Sequence, residues 1–278
     1  MTEGAAGQYT IDGETLLSAV TYPKVLSELS GREVVNKGIG GQNATQIAVR
    51  QGGVTLNTTS ELTIPAETTP VEVELTTSNG ISIVNNPYGM SLSSCYISDI
   101  HGKLECKDNK FYFTRTEAGK AYKVPVGTQI VSADSLEYND GIAVIWIGTN
   151  GGWVKQDSDW FDFNAYTEIC DGMISKLETQ EYVIVGLTTQ GSAERSSMEK
   201  ILSEKYGDRF INLRECLTVD EALYEKYGVT LTEEDKASMS EGIVPSTIIH
   251  DGPHFYSVGY RMIGDIIYKH MQKIGILK

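Results

Sequence analysis

Cationic residues are scarce in this chain: Lys and Arg number 23 against 37 Asp and Glu in 278 residues, a formal charge of −14. So acidic a protein repels phosphate backbones and anionic membrane surfaces, which disfavours nucleic acid as a partner and leaves neutral or polar small molecules. Long apolar runs are missing as well. No stretch of about 18 apolar residues occurs, so no membrane span is expected. Cysteine is sparse, and Cys95, Cys106, Cys170 and Cys216 show no C-x-x-C spacing, which removes zinc sites of that type. Cys95 and Cys106 suit a disulfide across a hairpin in an oxidising compartment, and two ordinary thiols suit them equally. No Walker lysine and no G-x-G-x-x-G are present, so nothing marks a nucleotide or other cofactor. A signal peptide is not visible, and localisation stays open between cytoplasm and export. Internal repeats and low-complexity tracts are absent too.

Apolar residues make up 40% of the chain, enough for the core of one large α/β domain carrying a smaller inserted module. Residues 14–30 carry Leu16, Leu17, Val20, Val25, Leu26 and Leu29 near helical spacing, with Pro23 to kink or restart the helix and Gly31 as its left-handed end. Glu33–Asn36 reads as a short strand running into Gly38-Ile39-Gly40-Gly41, followed by a helix over Ala44–Arg50. From about Gly52 to Ser132 the character changes to Thr, Val and Ser. Alternation in Val71-Glu72-Val73-Glu74-Leu75 and in Ile81-Ser82-Ile83, and turn signals at Gly80, Gly102 and Gly119, predict a β-rich insertion over 52–132.

The α/β pattern resumes with the apolar run Ile142–Ile147, which suits a parallel strand covered on both faces. An amphipathic helix follows on Phe163, Tyr166, Ile169, Cys170, Met173, Ile174 and Leu177. Further strands are expected at Tyr182–Leu187 and Phe210–Leu213, helices at Met198–Tyr206 and from Val258 to Met271. Strands alternating with helices predict a doubly wound, mostly parallel sheet flanked by helices, built from 1–51 and 133–278.

Ligands of such sheets sit at the carboxyl ends of the strands, and three loops there carry useful chemistry. Gly38–Asn43 offers backbone N–H groups, although a glycine turn between strand and helix is most often only a turn. Asn150, in Gly148-Thr149-Asn150, has an amide that can donate to a developing oxyanion, or cap the next turn. In His250-Asp251-Gly252-Pro253-His254 a carboxylate three residues from an imidazole can fix its tautomer, as a general base requires; Asp251 can equally cap the last helix. A metal held by His250, Asp251 and His254 is disfavoured, because only His101 and His270 remain elsewhere.

In order and spacing these loops resemble the SGNH (GDSL-like) hydrolases. The likeness is carried by Tyr22–Leu26, by Val34–Gly41, by Gly148-Thr149-Asn150 and by Asp251–Tyr260, and it covers about 1–50 and 133–278. It implies a flavodoxin-like fold and a serine esterase that forms an acyl-enzyme. Gly41 N–H and the Asn150 amide would form the oxyanion hole, His254 would be the base and Asp251 its orienting partner. The family's Gly-Asp-Ser would fall directly ahead of Met1-Thr2-Glu3-Gly4, so the nucleophile and the first strand are expected just upstream. The chain as given would then be inactive and poorly stable. Ser18, Ser192 and Ser246 lack the setting of a nucleophile. Gly151 departs from the Asp the family often has there. The substrate implied is a small ester, acylated carbohydrates included, and Tyr88, Tyr96, Phe111, Tyr112 and Tyr122 of the insertion would stack on sugars or fill a core. The alternative is a non-catalytic carbohydrate- or ligand-binding protein that keeps the hydrolase fold.

Overall fold

The structure is a computed structural model, and it describes residues 2, 9–11, 14–16, 20–84, 90–153, 163–188 and 193–277. In chain order its elements begin with β1 (Tyr9–Ile11), β2 (Glu14–Leu16), α1 (Tyr22–Ser30) and α2 (Ala44–Gln51). A run of short strands follows: β3 (Leu56–Thr58), β4 (Leu62–Ile64), β5 (Val71–Val73), β6 (Leu75–Thr77), β7 (Leu92–Ile97), β8 (Ile100–Lys107), β9 (Lys110–Arg115), β10 (Tyr122–Val124) and β11 (Gln129–Ser132). Then come α3 (Asp134–Glu137), β12 (Ala143–Ile145), α4 (Phe163–Ser175), β13 (Tyr182–Val185), α5 (Ala193–Tyr206) and β14 (Phe210–Ile211). The chain closes with α6 (Leu213–Val219), α7 (Glu221–Lys226), α8 (Glu233–Ser240), β15 (Ile249–Asp251), β16 (His254–Phe255) and α9 (Ser257–Lys273).

The chain divides into two compact units, one of Met1–Gly40, Val144–Thr149 and Tyr182–Lys278, the other of Gly41–Ala143 and Asn150–Glu181. The second holds the largest sheet, seven strands in the order β5-β9-β8-β7-β11-β3-β6. Every pairing in it is antiparallel. Its two terminal strands, β5 and β6, are separated in sequence by Glu74 alone. A chain that leaves one end of the strand order and enters the other within one residue requires the sheet to curl almost closed. Period-two alternation supplies the inside: Leu56, Val73, Leu92, Ile97, Leu104, Phe113 and Ile130 are all buried. Alongside, α2 packs on α4, and a side chain at Gly53 would meet the Met173 nitrogen at 2.5 Å.

The first unit contains a three-stranded sheet, β12-β13-β14, in which β13 and β14 are parallel. Here α1 lies along α9, burying Tyr22, Val25 and Leu26 of one helix and Met262, Ile263 and Ile267 of the other. The helix expected over residues 14–30 is confined to Tyr22–Ser30, and Glu14–Leu16 pair as a strand instead; Pro23 sits in the first turn of α1 and starts the helix there, and Gly31 ends it at φ 66°.

The doubly wound, mostly parallel flavodoxin-like sheet expected from the sequence is therefore corrected. The dominant sheet is antiparallel and barrel-like, because nearly all of the strand-forming sequence lies between Gly52 and Ser132. The apolar run Ile142–Ile147 yields a strand of only three residues. Val34–Asn36 forms no strand: it pairs with no strand among the described residues, and Val35 and Ile39 stand 46% and 47% exposed. No helix of the described residues is long and apolar enough to cross a membrane.

Candidate functional site

Of the four residues expected to form the site, Gly41 and Asn150 belong to the second unit, and Asp251 and His254 to the first. Each pair is built by its own local structure.

In the second unit the start of α2 organises the loops. Asn43 caps the helix in a reciprocal box with Gln46, which uses the first turn's donors and fixes the entry of the chain. Gly41, two residues earlier, takes φ 76°, a conformation that favours glycine. The remaining N-terminal donors of α2 grip the neighbouring loop. Ala44 N–H donates to the Gly151 carbonyl at 2.9 Å, and Thr45 N–H and hydroxyl donate to that of Gly152 at 3.2 and 2.6 Å. In return the Asn150 amide donates to the Gln42 carbonyl at 3.1 Å. The Gln42 side chain is buried and accepts from Arg50 Nε at 3.1 Å, and Arg50 also pairs with Asp134 at 3.2 Å. Asn150 itself is exposed. Since a primary amide carries two N–H groups, one braces the loop and the second can serve a ligand.

In the first unit β15 and β16 form a small hairpin joined by Gly252-Pro253, with Asp251 opposite His254. His254 Nδ1 lies 2.5 Å from Asp251 Oδ1, and His250 Nδ1 lies 3.1 Å from Oδ2. An ionised carboxylate only accepts, so both Nδ1 atoms donate to it, and in a neutral ring Nε2 is then the nitrogen free to act as a base. Among the described residues His254 Nε2 has no hydrogen-bond partner. The hydrogen bond from His254 holds the Asp251 carboxyl below the usual carboxylate range; slight desolvation opposes it and the His250 bond reinforces it. Behind the hairpin, Phe255 and Tyr260 are fully buried, edge to face at 5.9 Å between centroids.

Ser246 sits in a 3-10 turn with its hydroxyl directed to Asp235, and Ser18 and Ser192 lie outside the described residues. Of the aromatics singled out in the insertion, Phe111 is core, Tyr96 stacks on His101 at 4.9 Å, Tyr112 is half-buried and Tyr122 is 39% exposed; Tyr88 lies outside the described residues. The four cysteines are free thiols, Cys95 facing Gly102 across the hairpin and Cys106 facing Phe111. Among the described residues no group of three or more His, Cys, Asp or Glu is arranged to hold a metal. An open groove of about 500 Å³ in the first unit runs past Glu199 and Arg214, whose charges already satisfy each other.

Two contributors were not singled out by the sequence reading. His250 was weighed only as a metal ligand, although its place beside Asp251 was the available signal. Asp235 was missed entirely, although Thr232-Glu233-Glu234-Asp235 is a capping-box pattern. Its carboxylate accepts from Thr232 N–H at 3.0 Å and also from Thr247 N–H and hydroxyl, and so anchors the turn that leads into His250 and Asp251. Compared with protein families, curated proteins and solved structures, the chain matches none.

Proposed function

We propose that this chain carries the base and the oxyanion donors of a serine-type ester hydrolase. One observation carries the reading: Asp251 holds His254 by Nδ1, leaving an oriented Nε2 to take a proton from a nucleophile. The carboxylate also stabilises the imidazolium that forms, and later the same nitrogen returns the proton to the leaving alcohol. Gly41 N–H and the Asn150 amide are the donors proposed for the tetrahedral oxyanion, and the bracing of Asn150 against Gln42 supports a fixed amide direction.

The reading needs a hydroxyl nucleophile, which on the SGNH resemblance is the serine of a Gly-Asp-Ser motif. Asn36 Nδ2 donates to the Thr2 carbonyl at 2.7 Å, a contact between Thr2 and the segment that leads into Gly38. The charge of −14 favours neutral substrates, simple esters and acylated sugars, over anionic ones. The test is hydrolysis of p-nitrophenyl acetate by the chain as given, by a version extended so that Gly-Asp-Ser directly precedes Met1, and by the same version with Gly-Asp-Ala. Activity confined to the serine version and abolished by His254→Ala is expected. A folded serine version without activity, or equal turnover by all three, overturns the proposal.

A further inference from the structure

The β7–β8 hairpin of the second unit carries a serine–histidine contact of its own, unrelated to the hairpin at Asp251. Leu92 pairs with Leu104 and Cys95 with Gly102, so Ser93 and Ser94 together face Lys103 alone. This β-bulge lets Leu92 and Cys95, three residues apart in one strand, both be buried. Alternation then leaves Ser94 and Tyr96 on the outer face with His101, the cross-strand partner of Tyr96. Ser94 is the diagonal neighbour of His101, close enough for a long side chain to span. Its hydroxyl lies 2.8 Å from His101 Nε2. On the far side of the ring, just past β9, the Thr116 hydroxyl lies 3.2 Å from Nδ1 and 3.2 Å from the His101 carbonyl. The Tyr96 ring stacks on the imidazole at 4.9 Å, 28° from parallel, and limits its rotation.

We propose that Ser94 is a nucleophile in its own right, with His101 as general base and Thr116 as positioning residue, and that it takes up the acyl group of activated esters. A carbonyl only accepts, so the single Thr116 hydroxyl proton goes to the His101 carbonyl, and the Thr116 oxygen accepts from Nδ1–H. In the neutral ring Nε2 is then an acceptor, and the Ser94 hydroxyl donates to it. A hydroxyl bonded to an imidazole that a third group orients is the arrangement of an activated nucleophile. In the reaction the Ser94 O–H bond breaks and its proton moves to His101 Nε2. Oγ bonds to the acyl carbon, the ester C–O bond breaks, and the leaving group departs as an anion. Phenolates suit this step because they leave unprotonated; water then takes the proton from the imidazolium. Ser94 is half-buried and His101 and Thr116 are exposed, so a small ester reaches the hydroxyl from solvent. Lys103, which faces Ser94 across the bulge, keeps its ammonium on Glu105 at 2.9 Å and leaves the hydroxyl to His101.

The test is acetylation of the full chain by p-nitrophenyl acetate, quenched in acid and located by peptide mass spectrometry. An acetyl group on Ser94 is expected, formed together with an equal amount of p-nitrophenolate, and Ser94→Ala should remove it. His101→Phe, which keeps a ring against Tyr96 but has no base, should slow the labelling by about 10²-fold. Thr116→Val should slow it too, and Thr116→Ser, which restores the hydroxyl, should recover it, an order that general loss of structure does not produce. Thermal unfolding checks that each variant is folded. Acetyl groups on lysines with Ser94 unmodified, or labelling of Ser94 at the wild-type rate in folded His101→Phe, overturn the proposal. Labelling at Ser94 needs no turnover, so it stands or falls independently of the hydrolase reading.

Discussion

Asp235, at the start of α8, accepts hydrogen bonds from both the N–H and the hydroxyl of Thr247, three residues ahead of His250. It also closes the capping box with Thr232, so one buried carboxylate ties a helix start to the turn that enters the β15–β16 hairpin. Burial raises its pKa, but the bonds from Thr247 and Thr232 outweigh that and leave it below the usual carboxylate value. A group depressed in this way contributes stability above its unfolded pKa of about 3.9, and the contribution disappears as pH falls through the folded value. Asp235→Asn is therefore expected to lower the urea midpoint at pH 5–7, with the gap to wild type closing below about pH 4. Asp235→Ala should cost about 1–3 kcal/mol at neutral pH, by leaving Thr232 and Thr247 donors without an acceptor. A pH-independent gap would contradict the role assigned to the carboxylate.

A second prediction concerns the α1–α9 contact. A Cβ on Gly264 would come within 2.7 Å of both Cβ and Cγ1 of Val25 and 3.3 Å of the Tyr22 carbonyl. Val25 is branched and buried and has nowhere to swing. Gly264→Ala gains up to about 1 kcal/mol of helix propensity but incurs overpacking of about 1–3 kcal/mol, so net destabilisation is expected. Adding Val25→Ala should relieve the clash, and the double variant should be more stable than the sum of the single changes requires. Thermal unfolding of the four proteins measures this. Strict additivity would place the strain elsewhere.

The third prediction concerns the ion pair between α5 and α6. Arg214 grips Glu199 with two bonds, Nε to Oε1 at 2.6 Å and Nη2 to Oε2 at 2.5 Å, and both side chains are largely buried. The bond to Glu199 raises the guanidinium pKa against the effect of burial, so Arg214 keeps its charge. Arg214→Leu strands the Glu199 carboxylate and should destabilise the protein by about 3–5 kcal/mol. Pairing it with Glu199→Met should recover most of that loss in the same denaturation assay. A double variant as unstable as Arg214→Leu alone would show that the bond to the Gly242 carbonyl, not the ion pair, is the essential contact.

How much of this was legible in the sequence divides along physical lines. Helices were: the stripe on Phe163 to Met173, the left-handed end at Gly31 and the long apolar face of α9 all follow from local spacing and capping. The Asp-x-x-His contact was legible for the same reason, since a two-residue turn forces Asp251 and His254 together. Sheet organisation was not. Apolar runs such as Ile142–Ile147 announce burial but not the direction of the neighbouring strand, and the curl that brings β5 and β6 next to each other depends on pairings far apart in sequence. His250 escaped because strand alternation turns it away from Asp251, and only the register irregularity reverses that.

The last prediction separates bracing from catalysis at Asn150. Its amide donates to the Gln42 carbonyl, so a variant can lose function either because the loop loosens or because an oxyanion donor is gone. In a version of the chain that carries the upstream serine, Asn150→Ala is expected to lower kcat by about 10²–10³ with KM little changed, because the lost interaction exists only in the transition state. Asn150→Asp keeps the shape, loses both N–H donors and adds a negative charge, so it should be slower still. Loosening alone predicts a different ranking. Gln42 would lose the same partner in both variants, thermal stability would fall alike, and kcat and KM would drift together. If kcat survives in either variant, Asn150 is a brace, and the oxyanion must be held by backbone donors alone.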